Sequence, residues 1–245
     1  MLYGLIADVH ANLQAFEVAI KHLKAAGVDK ILNMGDLVGY GAGPAECVTL
    51  AREQVHMTTI AGNHDRQVAG DIDPRMRLTA TKALEWTRDN LSPANCRYLS
   101  TLPDGQIVDE RFVLVHGSLV ERDAYILTAG EVKRNLESMI RDFPQIKICM
   151  FGHTHVPMLI STRGVFADLR ATRSFQLEAG EVYMINPGSV GQPRDRCPLS
   201  SFAIFDTENL TVTFIRKPYD IAGAQRAIVQ AGLPEKFARR LSAGV

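Results

Sequence analysis

The sequence predicts an α/β fold, and two observations carry the prediction. In the first half, short apolar runs alternate with stretches whose apolar residues recur every three or four positions; after Pro157 the runs shorten and glycines punctuate them. The first pattern belongs to strand-helix-strand units and a largely parallel sheet. The second belongs to antiparallel hairpins, hence to a second or mixed sheet.

Leu2 to Ala7 reads as the first strand. Leu13, Phe16, Ile20 and Leu23 then share one face of a helix. Lys30 to Met34 and Met57 to Ala61 read as strands with a helix between them near Pro44 to Gln54, and the right-handed crossover rule stacks such helices outside the sheet. Residues 66 to 100 lack strand signals and read as helices able to wall a pocket, packed on the body through Trp86 and Leu91, up to the turn Leu102-Pro103-Asp104-Gly105. Strands resume at Phe112 to Val115 and Ile148 to Phe151, with a helix near Glu131 to Arg141 that stops before Pro144. The hairpin runs are Met158 to Ser161, Val165 to Asp168, Ser174 to Leu177, Glu181 to Ile185, Phe202 to Phe205 and Thr211 to Arg216. From Ile221 to Leu241 two short helices are expected, broken at Gly232-Leu233-Pro234, with Lys236, Arg239 and Arg240 on a solvated face.

A chain of 245 residues with 46% apolar side chains can fill the core of one α/β domain, and no repeat or linker divides it, so residues 1–245 are expected to form a single domain. Lys plus Arg number 27 and Asp plus Glu number 27, so no net field draws the protein to nucleic acid or anionic lipid. No apolar run approaches the roughly 20 residues of a membrane span. Cys47, Cys96, Cys149 and Cys197 lie far apart without a Cys-x-x-Cys pair, as reduced thiols would, and the N-terminus opens directly into a strand; a cytoplasmic location is expected.

Five apolar runs end in residues able to ligate metals: Asp8 and His10, then Asp36, then Asn63 and His64, then His116, then His153 and His155. Five of the seven histidines stand there. Carboxyl ends of strands form the ligand crevice of open α/β sheets. Residues two apart in an extended chain face the same side, which pairs Asp8 with His10 and His153 with His155. Taken singly, each has a plainer reading: Asp36 after Gly35 suits a helix cap, Asn63 after Gly62 a left-handed turn, and His116 before Gly117 a satisfied turn histidine. His22 and His56 are assigned to such structural roles. Five successive coincidences are a poor explanation, and the mixture of carboxylate, amide and imidazole suits Mn²⁺, Fe²⁺, Co²⁺, Ni²⁺ or Zn²⁺ rather than a thiolate structural zinc site.

In order, Asp8-Val9-His10, Gly35-Asp36, Gly62-Asn63-His64-Asp65, His116 and Gly152-His153-Thr154-His155 resemble the motif blocks of the calcineurin-like metallophosphoesterase superfamily. The match spans residues 2 to 155. The longer stretches Asp8-Val9-His10-Ala11-Asn12-Leu13 and Gly35-Asp36-Leu37-Val38-Gly39-Tyr40-Gly41, with Asn186-Pro187-Gly188-Ser189, resemble its small bacterial and archaeal phosphodiesterase branch. The resemblance implies a four-layer αββα sandwich, two mixed β-sheets flanked by helices. It also implies that Asp8, His10 and His155 hold one divalent ion, that Asn63, His116 and His153 hold a second, and that Asp36 bridges them. In such a centre two ions about 3.5–4 Å apart clamp a phosphoryl oxygen, and a water shared between them becomes the attacking hydroxide. His64, which the family does not use as a ligand, would protonate the departing alkoxide, and Asn63 would orient the phosphate.

Ser/Thr protein phosphatases of this superfamily carry Gly-Asp-x-x-Asp-Arg-Gly, whereas here Gly39-Tyr40-Gly41 follows Gly35-Asp36-Leu37-Val38. The missing Asp and Arg argue against a protein phosphatase and leave His64 without an evident partner. Asp65 reads as structural. Arg194 becomes a candidate for the cation that grips phosphate, with a surface pair to Asp195 as the alternative.

The expected function is metal-dependent hydrolysis of phosphodiester or nucleotide phosphoanhydride bonds in a small phosphorylated substrate, a nucleotide or a dinucleoside polyphosphate among the candidates. Two other readings compete. A non-catalytic scaffold of the same fold is disfavoured by retention of all seven ligands and His64; a nuclease is disfavoured by the lack of a basic stripe with interleaved aromatics. Neither extended nucleic acid nor a membrane is an expected partner. Hairpin edges admit pairing between two copies, so a homodimer is a further expectation.

Overall fold

The computed structural model describes residues 1–54, 56–70 and 78–245. Strand β1 (Leu2–Ile6) leads into α1 (Leu13–Ala25), β2 (Lys30–Asn33), α2 (Pro44–Arg52), β3 (Met57–Thr59) and α3 (Asn63–Ala69). Helices α4 (Leu78–Asp89) and α5 (Pro93–Thr101) precede β4 (Gly105–Val108), β5 (Phe112–Val115), α6 (Ala129–Asp142) and β6 (Ile148–Met150). Then come β7 (Met158–Ser161), β8 (Gly164–Phe166), β9 (Arg173–Gln176), β10 (Tyr183–Asn186), β11 (Ser200–Asp206), β12 (Thr211–Lys217), α7 (Ile221–Gln230) and α8 (Glu235–Ala243).

The helices begin where local chemistry satisfies their first N–H groups. Asn12 accepts from the Ala15 N–H at the start of α1, and Thr128 and Glu131 close a capping box on α6. Pro44 and Pro93 open α2 and α5, where a missing N–H costs nothing. In α1 Phe16, Ile20 and Leu23 of the predicted stripe are buried and Leu13 is half-buried, with Ala15 and Ala19 filling the same face.

Two six-stranded sheets form, in the orders β3-β2-β1-β11-β12-β9 and β4-β5-β6-β10-β7-β8. Both are mixed: β1, β2 and β3 run parallel while β1 meets β11 antiparallel, and β6 lies parallel to both β5 and β10 while β10 meets β7 antiparallel. The alternation of side chains shows why the sheets stack. Tyr3, Leu5 and Ala7 of the first strand and its extension join Ala203 and Phe205 of β11 in one cluster that also takes Met150 of β6 and Tyr183 and Ile185 of β10. Their neighbours Ile6 and Phe202 face α1 and α2, and Cys149 and Met184 face α6. The central strands thus have two apolar faces, one toward the other sheet and one toward helices. Burying each large side chain in such a layer contributes ~1.5–3 kcal/mol. The result is the αββα sandwich.

Three expectations need correction. The two sheets do not correspond to the two halves of the sequence, since each sheet takes three strands from before Pro157 and three from after it. Strand β4 was missed: Gly105, Gln106 and Ile107 are exposed at a sheet edge, so no apolar run marks it. Lys236 is not on a free solvated face, because its Nζ donates to Thr79 Oγ1 at 2.5 Å and ties α8 to α4. In the helical segment read over 66 to 100, residues 71–77 lie outside the described residues; Trp86 packs on the cluster of the C-terminal helices and Leu91 on the cluster between the first sheet and its helices. Among the described residues no helix is long and apolar enough to cross a membrane.

Candidate metal centre

The loops after β1, β2, β3, β5 and β6 meet at one end of the sandwich. Asp8 N–H donates to the Gly35 carbonyl at 3.0 Å and His10 N–H to the Asp36 carbonyl at 2.9 Å, laying the first loop on the second. Gly152 N–H donates to the His116 carbonyl at 2.8 Å, and His153 N–H reaches across to the Asp8 carboxylate at 3.0 Å. Asp8, His10, Asp36, His153 and His155 all have φ between 49° and 65°. Residues with a Cβ occupy this region at a cost of ~1–3 kcal/mol each, so the surrounding contacts must hold them there.

Two glycines make the crowding affordable. A Cβ on Gly62 would overlap the Asp36 carboxylate, and one on Gly39, which has φ of 92°, would overlap His64 Nδ1. The segment Asn186-Pro187-Gly188-Ser189 braces the loops from beneath. Asn186 Nδ2 donates to the Gly152 carbonyl at 2.8 Å and to Thr154 Oγ1 at 2.9 Å, while Ser189 Oγ donates to the Asp8 carbonyl at 2.7 Å.

The side chains converge in two groups. His155 Nε2 lies 3.1 Å from His10 Nε2 and 3.6 Å from Asp8 Oδ1. His116 Nε2 lies 3.1 Å from Asn63 Oδ1 and 3.1 Å from His153 Nδ1. Asp36 Oδ2 stands between them, 3.5 Å from His10 Nε2 and 3.4 Å from His116 Nε2. Asp8, His10, Asp36, His116, His153 and His155 are buried, and Asn63 is half-buried.

Hydrogen bonds on the outer ring nitrogens fix which atoms face inward. His10 Nδ1 donates to the Val38 carbonyl at 3.1 Å, His116 Nδ1 to Met34 at 2.7 Å, His155 Nδ1 to Gln192 at 2.6 Å, and His153 Nε2 to Asp123 at 2.9 Å. A carbonyl can only accept, so each outer nitrogen carries its proton and the inner nitrogen of a neutral ring presents a lone pair. Burial holds His10 and His155 well below the usual imidazole range, so both are neutral and their lone pairs face each other at 3.1 Å. That arrangement is repulsive unless a cation lies beside both. The donor set therefore fits a divalent ion of the Mn²⁺ to Zn²⁺ series.

The other group accommodates itself with a proton. Burial opposes charge on His116, but the Asp36 charge and hydrogen bond, then Asp8, outweigh it and raise its pKa from 6.5 to about 9. Burial pushes Asp8 above the carboxylate range, whereas at Asp36 burial is outweighed chiefly by the charge and hydrogen bond of His116, which keep it ionised. His153 falls to about 4 through burial and the His116 charge. A raised folded pKa stabilises fully below the unfolded value and is lost as pH climbs through the folded one. Metal-free protein should therefore lose stability from pH 6.5 toward about 9, as His116 loses the proton standing in for a cation. Saturating Mn²⁺ or Zn²⁺ should raise Tm by about 5–10 °C, with the larger gain at the upper end of that window. Thermal scans with and without metal check this; an equal or smaller gain at high pH contradicts it.

Comparison with known proteins gives this geometry its context. Residues 1–210 match the model of the calcineurin-like phosphoesterase superfamily domain. The chain belongs to that superfamily. An uncharacterized protein of Methanocaldococcus jannaschii is 32% identical, over 99% of this chain and 98% of that one. The structure of a metallophosphoesterase from Sphaerobacter thermophilus is 36% identical, with a TM-score of 0.88 over 100% of this chain and 99% of that one. A hypothetical protein from Pyrococcus horikoshii has the same fold at 22% identity, TM-score 0.81, over 100% of this chain and 98% of that one. Divalent metal ions are implied by the superfamily, and the Asp and His groups of this phosphoesterase offer places for them.

The remaining sequence-predicted residues lie at the same centre. His64 falls within 4.8 Å of ligand atoms of His10 and Asp36. Its Nδ1 is buried without a partner among the described residues. A proton there would be an unsatisfied donor, so Nε2 carries it and His64 is a donor at Nε2. Asp65 is structural, accepting from the Gly62 N–H at 3.0 Å and the Val38 N–H at 3.2 Å. Arg194 does not pair with Asp195, which instead forms a buried ion pair with Arg216. Arg194 turns to Gln192 Oε1 at 2.9 Å, and its guanidinium lies 5.9 Å from the Tyr40 ring. Sequence reasoning missed Gln192, Asp123 and Tyr125: two act through backbone carbonyls that any residue supplies, and Tyr125 sits in a loop without periodicity. His22 packs by Phe202, outside the centre.

Proposed function

We propose that this phosphoesterase hydrolyses phosphodiester or nucleotide phosphoanhydride bonds of small substrates at a pair of divalent ions held by Asp8, His10 and His155 on one side, by Asn63, His116 and His153 on the other, and shared through Asp36. The observation that carries the reading is the position of Asp36 Oδ2, 3.5 Å from one group and 3.4 Å from the other. When bound, such ions supply charge neutralisation at the phosphoryl group and activate water as nucleophile near neutral pH.

The chain's own groups then have distinct tasks. The amide of Asn63 and the guanidinium of Arg194 orient non-bridging phosphoryl oxygens. His64, within reach of the same atoms, passes its Nε2 proton to the leaving oxygen as the bond from phosphorus to that oxygen breaks and the bond to water forms. The buried ring of loops keeps bulk water from competing for these contacts. Small substrates are favoured because Arg66 and Arg122, the cations near the Asp123 loop, are already paired with Asp104 and Asp123. A polymer would find little free positive charge there.

A panel of aryl phosphomonoesters, aryl phosphodiesters and dinucleoside polyphosphates, run with Mn²⁺, Fe²⁺, Co²⁺, Ni²⁺ and Zn²⁺ in turn, tests the reading. Diester or anhydride cleavage by reconstituted protein is expected; inertness toward all of them would leave the scaffold reading. In the same assay Arg194→Ala should lower kcat/KM by about 10²–10³. Unchanged kinetics would remove Arg194 from the site.

A further inference from the structure

The mouth of the centre has two different ends. At one, Tyr40 packs on His64 with ring centroids 4.5 Å apart, and Phe237 of α8 supports Tyr40 at 5.1 Å. At the other, Tyr125 lies face to face with His153, centroids 4.2 Å apart and planes within 15° of parallel. Tyr125 nevertheless keeps 42% of its surface exposed. One face is covered by His153, so the exposed surface belongs to the opposite face and the ring edge.

The loop that carries Tyr125 is anchored at two points ahead of the ring. The Asp123 carbonyl accepts from His153 Nε2, and Asn135 Oδ1 of α6 accepts from Ser118 Oγ at 3.0 Å and from Leu119 N–H at 2.8 Å. The ring is therefore held in place before any ligand arrives, which lowers the entropic cost of stacking on it. Arg194 spans the two ends: Nη1 donates to the Tyr125 hydroxyl at 3.5 Å, while Nε is buried without a partner among the described residues. A phosphodiester brings two substituents. If one leaves at His64, the other must be accommodated elsewhere along this mouth.

We infer that the outer face of Tyr125 stacks the retained substituent, and that this substituent carries an aromatic ring: a nucleoside or an aryl ester, with its phosphoryl oxygens on Arg194. The same loop exposes further apolar surface at Val120 and Leu127, 54% and 63% exposed, which suits a ring better than a sugar or a polyol. The inference rests on the phosphodiesterase reading above and narrows it to a substrate class.

Two diesters with one common leaving group separate the ideas: the 4-nitrophenyl ester of thymidine 5′-phosphate and methyl 4-nitrophenyl phosphate. With the leaving group fixed, the ratio of their kcat/KM values reports only the retained substituent. Wild-type protein should favour the nucleoside diester by about 5- to 100-fold, Tyr125→Phe should keep that ratio, and Tyr125→Ala should collapse it toward unity. Calorimetric binding of thymidine 5′-phosphate against methyl phosphate to metal-loaded protein should show the same ratio and the same collapse without turnover. A ratio near unity in wild type, or one that Tyr125→Ala leaves intact, overturns the inference. If neither diester is cleaved, the phosphodiesterase reading fails, and the binding ratio alone then decides for or against stacking on Tyr125.

Discussion

Asp36→Asn should lower kcat/KM on a phosphodiester by at least about 10³-fold and strip the centre of most of its metal. The size follows from what the carboxylate is asked to do. Two ions contribute several kcal/mol of charge stabilisation at phosphorus, and each 1.36 kcal/mol is about a decade in rate. Asn keeps the shape of the side chain and can keep the acceptor for the His64 N–H, which Asp36 Oδ1 holds at 2.9 Å. The start of α3 is thereby preserved while the charge between the two groups is lost. Elemental analysis beside the rate assay distinguishes this from simple misfolding: the variant should melt cooperatively as metal-free protein yet bind little metal. Full activity in Asp36→Asn would mean that the two groups are not joined through this residue.

His64→Ala should have a different signature. A proton donor matters in proportion to the basicity of the oxygen it protonates, so the loss should reach about 10²–10⁴-fold on an alkyl phosphodiester and shrink below about tenfold for 4-nitrophenolate, which departs unaided. Metal content should stay at the wild-type level. His64 lies close enough to His10 and Asp36 to be grouped with them by distance, so the alternative is concrete: an equal loss on every leaving group together with a loss of metal would make His64 a ligand. Its missing partner has a steric cause. Gly39 occupies the space beside Nδ1 where a hydrogen-bonding side chain would have to stand.

Most of the ligand cluster was legible because chemistry and topology leave separate marks on the sequence. A strand ends where an apolar run stops, and a carboxylate or imidazole there has little reason to be buried unless it has work to do; the five run-ends singled out in the sequence meet in one place, whereas Asp168 and Asp206, which also end runs, stay out of the core. Less legible was how the sheets share the chain. Hydrophobic alternation identifies β11 as a strand but not its partner, and its place beside β1, some 200 residues earlier, is set by matching faces that pattern alone does not reveal. Edge strand β4 left no apolar signal because it has only one face to bury. Arg194 was recognisable as a cation near the motif at 186–189, yet the choice between Asp195 and the centre depended on Arg216, whose guanidinium is buried beside Asp195 and takes its carboxylate away. The anchoring carbonyls of Val38, Met34, Gln192 and Asp123 were beyond sequence reasoning altogether, since the main chain carries no residue code.

The most direct test of the centre is the metal content of wild-type protein, stripped with chelator, reconstituted with Mn²⁺ or Zn²⁺, freed of excess ion and measured by elemental analysis against chain concentration. The arrangement of two groups about Asp36 predicts two ions per chain. A value of one or none would contradict it.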